Sequence, residues 1–418
     1  MVTNTTTSFS TMLNQYLPNK LLEEELIKQD WLLANVERDD SWLGGDLIVP
    51  FVGSEASSVQ YASLPGSTDI HEGSYIRGSV TDYQEIWGSM IFNEADLMQH
   101  GAISEQNLLK LLPDKIEGFI QHIKEIASIS MLGSDNFAEA LTDGAADGTI
   151  KVDRVERFSI GKKVTLVDDN TAQADYYVTA VNLNTQYITL SATRGGAAAS
   201  LTAFTTAQNA KFYYVGVLES DVVTNKFTSL KSALLSSTNG GSASLYGQTK
   251  TAYPYLQAIN VDGSGVTQAN ILEQIFLAYG AVRQKARGKA TKVVMSLKHW
   301  GSSLIALEAQ KGGYKVLPNS MKATAYGWSE VQIMSFTGEI LSFVGVQECD
   351  NDVIFFLDLG SMKFYSNGFF KKRESPDGDN FFAVRNTTGY QYIVDVCCFG
   401  DLVVHRPGVN GILYGIDY

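Results

Sequence analysis

Two strand signals in this chain are separated by a long stretch with almost nothing to bury. The first is Asp46-Leu-Ile-Val-Pro-Phe-Val52, and the second runs from about Ser79 to Phe92 through Val80, Tyr83, Ile86 and Ile91. Between them, Ser63-Leu-Pro-Gly-Ser-Thr-Asp-Ile-His-Glu-Gly73 is rich in turn formers. An isolated two-stranded hairpin is marginal in water and needs further strands or a packed helix. Residues 46–97 therefore read as an extended β-hairpin that leans on something outside itself. A lone subunit offers it little support, whereas in an assembly it can lie across a neighbour.

The rest of the chain mixes helix and strand. The first 17 residues are rich in Thr, Ser and Asn and read as an arm without a core. Asn19 is placed to cap a short helix through Lys28, with Glu23 to Glu25 in its first turn. Residues 104–132 carry one apolar stripe, Leu109, Leu112, Ile116, Phe119, Ile120, Ile123, Ile126 and Ala127, at three- and four-residue steps. Pro113 suits a first helical turn, so regular helix is expected from there, and Gly133 marks the stop.

Residues 150–217 change character. Arg157–Ile160, Lys163–Val167, Tyr176–Val181, Tyr187–Leu190 and Lys211–Val215 are short strand-like runs with polar turns between them and no helical period. Such spacing predicts a small barrel or sandwich, inserted between helical elements. Beyond it, 224–236, 267–287 and His299–Ala309 read as helices. Lys292–Leu297, Glu330–Met334, Ile340–Val344, Asp352–Leu357, Phe364–Tyr365, Phe381–Val384 and Tyr390–Phe399 read as strands. Without strict βαβ alternation, the class is α+β.

At 418 residues the chain is expected to form more than one domain. Its 32 basic and 45 acidic residues leave a net charge of −13. A protein that grips nucleic acid through phosphates carries a basic surplus, so a dedicated DNA-binding face is not expected. Cys349, Cys397 and Cys398 offer no disulfide framework; the adjacent pair would face opposite sides of a strand as small hydrophobes. No apolar run reaches membrane-spanning length and no signal-peptide pattern is visible, so a reducing cytoplasm is the expected place of synthesis.

Catalytic signatures are missing. The five histidines, His71, His100, His122, His299 and His405, form no His-Glu-x-x-His pattern, and there is no Cys-x-x-Cys pair, so no metal is expected. There is no phosphate loop and no Gly-x-Ser-x-Gly elbow, and Gly263-Ser-Gly265 lacks the third glycine of a dinucleotide fingerprint because Gln268 stands there. Asp377-Gly-Asp-Asn380 opens like a calcium loop, but Thr388 occupies the position of the required Glu. No cofactor and no enzymatic activity are expected. Lys371, Lys372 and Arg373 form a tight basic cluster that suits phosphates or an acidic scaffold, or simply a solvated face.

Taken in order, these parts resemble the major capsid proteins of tailed double-stranded-DNA bacteriophages. The resemblance is carried by Asp46–Pro50 with the hairpin after it, Ser89–Leu97, the helix 113–132, Phe227–Leu234, Tyr246–Tyr255, the helix 267–287 with strand 292–297, Ser296-Leu-Lys-His-Trp300, Tyr326-Gly-Trp328 and Gly338–Val344. It covers most of the chain except 150–217. It implies an N-terminal arm over 1–45, an extended hairpin loop over 46–97, a peripheral domain with a spine helix over 98–149, an inserted β-barrel-like domain over 150–217, an axial domain over 218–360, and strands over 361–418 returning to the peripheral and axial domains.

It further implies self-assembly into hexamers and pentamers of an icosahedral head, assembled in the host cytoplasm and located in the virion. The partners implied are portal, scaffolding and cement proteins and packaged DNA without sequence-specific contacts, with no membrane. Candidate subunit contacts are Trp31, Trp42, Pro65, Asp69, His71, Glu72, Arg77 and Trp87; for the tryptophans, an ordinary core position is the competing reading. Two alternatives stay open. One is another virion part, such as a decoration or tail protein. The other is an enzyme with an unrecognised carboxylate pair.

Overall fold

The computed structural model describes residues 30–42, 45–52, 75–80, 84–93, 105–133, 137–168, 173–208, 210–214, 227–285, 290–309, 322–323, 329–334, 338–367, 370–372, 382–386 and 389–416. The helix expected after Asn19, the polar middle of the hairpin and Asp377–Asn380 lie outside the described residues. The chain divides into two compact units, one of residues 1–133 and 227–418, the other of residues 134–226.

In chain order the first unit contributes helix α1 (Trp31–Asn35), strands β1 (Glu37–Asp39), β2 (Leu47–Val52), β3 (Tyr75–Val80) and β4 (Gln84–Asn93), and helix α2 (Glu105–Leu132). The second unit contributes β5 (Ala138–Glu139), β6 (Thr149–Lys151), β7 (Lys163–Val167), β8 (Gln173–Asn182), β9 (Tyr187–Ser191) and β10 (Lys211–Tyr214). The first resumes with α3 (Leu230–Leu234), β11 (Ser244–Leu245), β12 (Gln248–Thr249), β13 (Ile259–Asp262), α4 (Ile271–Lys285), β14 (Lys292–Ser296) and α5 (Leu297–Ala309). It ends with β15 (Lys322–Ala323), β16 (Ser329–Met334), β17 (Ile340–Val346), β18 (Val353–Leu357), β19 (Met362–Tyr365), β20 (Phe370–Lys372), β21 (Phe382–Asn386), β22 (Gly389–Val404) and β23 (Gly411–Tyr414). The chain is α+β, with an all-β unit set into it.

A mixed sheet in the order β13-β23-β18-β14-β17-β16-β15 organises the first unit. Side chains alternate across a strand, so a strand buried on both faces feeds two cores. In β18, Val353, Phe355 and Leu357 enter one core and Ile354 and Phe356 the other. β14 divides Val294 from Val293 and Met295, and β23 divides Ile412 from Leu413, in the same way. One face is covered by α4, whose Ile271, Ile275, Ala278, Tyr279 and Val282 repeat at helical spacing. The other is covered by α1, α3 and the last turns of α2, through Trp31, Leu32, Leu33, Leu230, Leu234, Ile123, Ala127 and Met131.

A second sheet runs β1-β19-β22-β20, with β4 and β21 also paired to β22. β22 is 16 residues long and serves as its common rail. Gly88 of β4 lets α2 approach, since a Cβ there would lie 2.7 Å from the Phe119 ring and 3.3 Å from Ile123 Cδ1. Three expectations change. The strand expected from Ser79 to Phe92 is two strands, because residues to Val80 pair back onto β2 whereas Gln84–Asn93 pair with β22. The helix expected from Pro113 starts at Glu105 and runs 28 residues through the proline. Within the described part of the stretch 224–236, residues 227–236, α-helix is confined to Leu230–Leu234, started by the Ser229 hydroxyl, which accepts the Ser232 N–H at 3.2 Å.

The second unit is a small antiparallel barrel. Its strands run β5-β10-β7-β8-β9-β6, and the ends meet where Ala140 bridges Val152. The Leu141 N–H donates to Lys151 O at 2.8 Å and the Asp153 N–H to Glu139 O at 3.1 Å, completing the closure. Closure removes the open sheet edges that invite pairing with other chains. Ile150, Val152, Val164, Leu166, Val178, Ile188, Leu190 and Phe212 are buried. The expected strand at Arg157–Ile160 is instead a 3-10 turn at Val155–Arg157, held by the Arg157 guanidinium, which donates to Phe137 O at 2.7 Å. β5 and β6 were not anticipated, since runs of two and three residues carry no readable period.

Phe212 meets Phe158 edge-on at 5.1 Å and Phe137 at 6.3 Å. Phe212→Ala is expected to destabilise this unit by about 3–5 kcal/mol, the usual cost of emptying a ring-sized site. Calorimetry of the full chain should show a lowered transition for the barrel, with the unfolding of the first unit little changed.

Candidate assembly surface on the hairpin

β2 and β3 pair over Leu47↔Val80, Pro50↔Arg77 and Val52↔Tyr75. Val49, Phe51 and Val80 point inward and pack with Trp42, Leu256 and Val403. Ile48 and Pro50 therefore face outward on β2, with Tyr75 and Arg77 on β3. Ile48 is 60% exposed and Tyr75 77% exposed. Among the described residues β2 has a single partner strand, so its other edge accommodates Pro50 without a lost ladder bond. The result is an open, partly apolar hairpin face bearing one cation.

Tyr246 fixes the base of this hairpin. It sits in the two-residue turn between β11 and β12 with φ +49°, followed by Gly247 at +77°, the pair of positive values that a type I′ turn needs. A non-glycine residue there costs on the order of 1 kcal/mol or more and persists only when its surroundings hold it. Three contacts do so. The Tyr246 hydroxyl donates to Leu402 O at 3.1 Å and accepts the Val404 N–H at 3.0 Å, standing where a neighbouring strand's peptide would bond β22. Its ring stacks on Phe51 at 5.7 Å. Its carbonyl accepts the Ser79 N–H at 3.0 Å.

Gln248 adds a bond from Nε2 to Arg77 O at 2.9 Å. Gly78 makes the approach possible, because a Cβ there would lie 2.5 Å from the Phe51 ring and 3.1 Å from Tyr246 Cβ. Burial pushes the Tyr246 phenol well above its ordinary value. Nearby, the buried Asp401 carboxylate accepts Thr228 N–H at 2.5 Å, Thr228 Oγ1 at 2.8 Å and Leu402 N–H at 2.8 Å, and burial pushes it up to about 6.

The sequence-derived contact residues fall into four groups. Trp31 and Trp42 are each 5% exposed and pack into the unit's own cores, so a neighbour could reach almost none of their surface. Trp42 also donates from Nε1 to Gly45 O at 3.0 Å. For these two the core reading prevails, because burial inside one subunit leaves nothing for an interface to bury. Arg77 is exposed on the outer hairpin face. Trp87 lies in β4 opposite Cys397, and Lys371 and Lys372 lie in β20 opposite Cys397 and Val396. Pro65, Asp69, His71, Glu72 and Arg373 lie outside the described residues. Sequence reasoning did not single out Ile48, Tyr75 or Tyr246; the alternation within Leu47–Val52 marked Ile48 only once the inward face was known.

Among the described residues no group of three or more His, Cys, Asp or Glu side chains could hold a metal ion. Cys349, Cys397 and Cys398 are buried. No helix among the described residues is long and apolar enough to cross a membrane. His299 is fully buried and its ring meets Asn351 O, joining the start of α5 to the β17–β18 turn. His122 is exposed on α2, 3.6 Å from Glu125.

No protein-family profile and no curated protein sequence matches the chain. Among solved structures, the chain is similar to one described as the Cyanophage A-1(L) capsid asymmetric unit. The TM-score is 0.44 and the identity 10%, over 91% of this chain and 90% of that one. It is also similar to the capsid of Myoviridae Phage XM1, with TM-score 0.42 and 9% identity over 92% of this chain and 91% of that one. The capsid of a native GTA particle matches at TM-score 0.42 and 9% identity, over 92% and 90%.

Tyr246→Phe should leave Leu402 O and the Val404 N–H without their shared partner. A loss of about 1–3 kcal/mol is expected, the cost of stranding buried polar groups. Hydrogen exchange should speed up in Leu47–Val52 and Tyr75–Val80 before it changes in β18.

Proposed function

We propose that this chain is the major capsid protein of a tailed double-stranded-DNA phage, a structural subunit that builds an icosahedral head from hexamers and pentamers of itself. The observation that carries this reading is the hairpin. Its base is clamped by Tyr246, Phe51 and Trp42, while its outer face presents Ile48, Pro50 and Tyr75 to solvent. A subunit that only had to fold would gain nothing from holding an apolar face rigidly outward. A subunit that lays this face on a neighbour gains a preformed interface with little ordering cost.

The order of parts supports the same reading. The hairpin is followed by a 28-residue helix against the β4–β22 pair, then by a mixed sheet carrying α4 and α5. That is the order by which the sequence resembles the family. Contacts between copies would be heterologous, one patch meeting a different patch, so that rotation closes a ring. Interfaces of this kind bury roughly 2,000–5,000 Å². Pro65, Asp69, His71, Glu72, Arg77 and Trp87 are proposed contributors from the hairpin and β4. Lys371, Lys372 and Arg373 are proposed to meet phosphates or an acidic scaffold. Portal, scaffolding and cement proteins are the proposed partners, with assembly in the host cytoplasm. The net charge of −13 suits a wall that confines DNA without sequence-specific contacts.

Electron microscopy and size exclusion of the purified chain test this directly. Shells, rings or capsomers are expected; a strict monomer at high concentration under every condition tried would sink the proposal. A paired change, Ile48→Asp with Tyr75→Asp, should leave folding stability within about 1 kcal/mol, since both sites are exposed. It should abolish assembly.

A further inference from the structure

The join between α1 and α2 contains a buried carboxylate without a counter-ion. Asp30 is 1% exposed and caps the start of α1, where Oδ1 accepts the Leu33 N–H at 2.8 Å. Its other oxygen meets the hydroxyl of Ser128, itself 1% exposed, on α2. Among the described residues no cation pairs with it. The nearest charged groups from the packed elements are Lys124 of α2 and Glu348 of the β17–β18 turn, which pair with each other at 3.9 Å and so largely cancel. α1 itself, Trp31-Leu-Leu-Ala-Asn35, has no charged side chain.

We propose that Asp30 is a proton-held latch: uncharged, it seats α1 on α2, and ionised, it loosens that seat. The chemistry is asymmetric. As an acid, the carboxyl can donate to Ser128 Oγ while its carbonyl oxygen keeps the Leu33 N–H, so both oxygens are satisfied. As an anion, it holds a full charge in a buried site, where an unpaired charge is costly. The latch therefore governs how firmly α1 is held on α2. The proposal rests on packing within the subunit and does not need the shell reading.

Burial pushes the Asp30 carboxyl from the ordinary 3.8 up to about 7. A carboxyl raised on folding favours the folded contact when protonated. Its contribution is full below about pH 4, declines as the pH rises toward 7, and is level above that. The test is hydrogen exchange of the Leu33, Ala34 and Val36 amides in the full chain, corrected for intrinsic chemistry, from about pH 5 to 8. Protection should fall by about tenfold per pH unit until about pH 7 and then level off. Buried amides of α4 serve as the internal control and should lack that slope.

Asp30→Asn keeps a good cap and mimics the uncharged acid, since its Nδ2 donates to Ser128 and its Oδ1 accepts from Leu33. Its α1 protection should be high and flat across the range. The proposal is overturned if the wild-type slope is absent, if α4 shares it, or if Asp30→Asn retains it. The wild-type comparison of α1 with α4 decides the matter should the variant fail to fold.

Discussion

Five consecutive residues of β18, Val353 to Leu357, are buried, and the first unit is arranged to cover both of their faces. A central strand of this kind cannot be protected by one layer. α4 covers one side, while α1, α3 and α2 gather on the other from segments far apart in sequence. Fully burying each large apolar side chain is worth roughly 1.5–3 kcal/mol, so the double-faced strands β14, β18 and β23 concentrate much of the unit's stability in a small volume. The second sheet joins the same arrangement through β22, whose Leu402 and Val404 enter the core beneath α1 while Val403 turns toward the hairpin base.

That core sets what the hairpin can be. Its inward face is satisfied by Trp42, Leu256 and Val403, and its backbone is tied down by a turn in an uncommon conformation. The strain at Tyr246 is tolerated because one hydroxyl completes the unpaired edge of β22 and one ring supports Phe51. Among the described residues the outward face keeps Ile48 and Tyr75 exposed. Inward packing and apolar exposure outside come from the same two strands. The barrel follows a different logic. Its closed ladder and packed rings need no help from elsewhere in the chain for their own hydrogen bonds.

Long regular elements were legible from residues alone. The stripe from Leu109 to Ala127 marked α2, and Lys163–Val167 and Lys211–Val215 marked strands that differ from β7 and β10 by at most one residue. Short or interrupted elements were not. β5 and β6 are two and three residues long and exist because distant partners, β10 and β9, supply their bonds, while β11 and β12 are two residues each and pair with one another across a tight turn. The break between β3 and β4 was hidden for a related reason. Apolar residues continue on both sides of it, and only the choice of partner, β2 or β22, separates them. Trp31 and Trp42 were open to two readings because a tryptophan's composition signal is the same in a core and at an interface, and only the fold shows both to be buried.

The sequence by itself determined the α+β class, the all-β stretch after the long helix, the acidic balance and the lack of a catalytic motif, since these depend on composition, periodicity and local spacing. Tertiary structure alone decided which face of the hairpin is outward, that the barrel closes, that Tyr246 clamps the hairpin base and that Asp30 is buried against Ser128. Each of these depends on residues brought together over long separations, and neither side-chain period nor charge count carries that information.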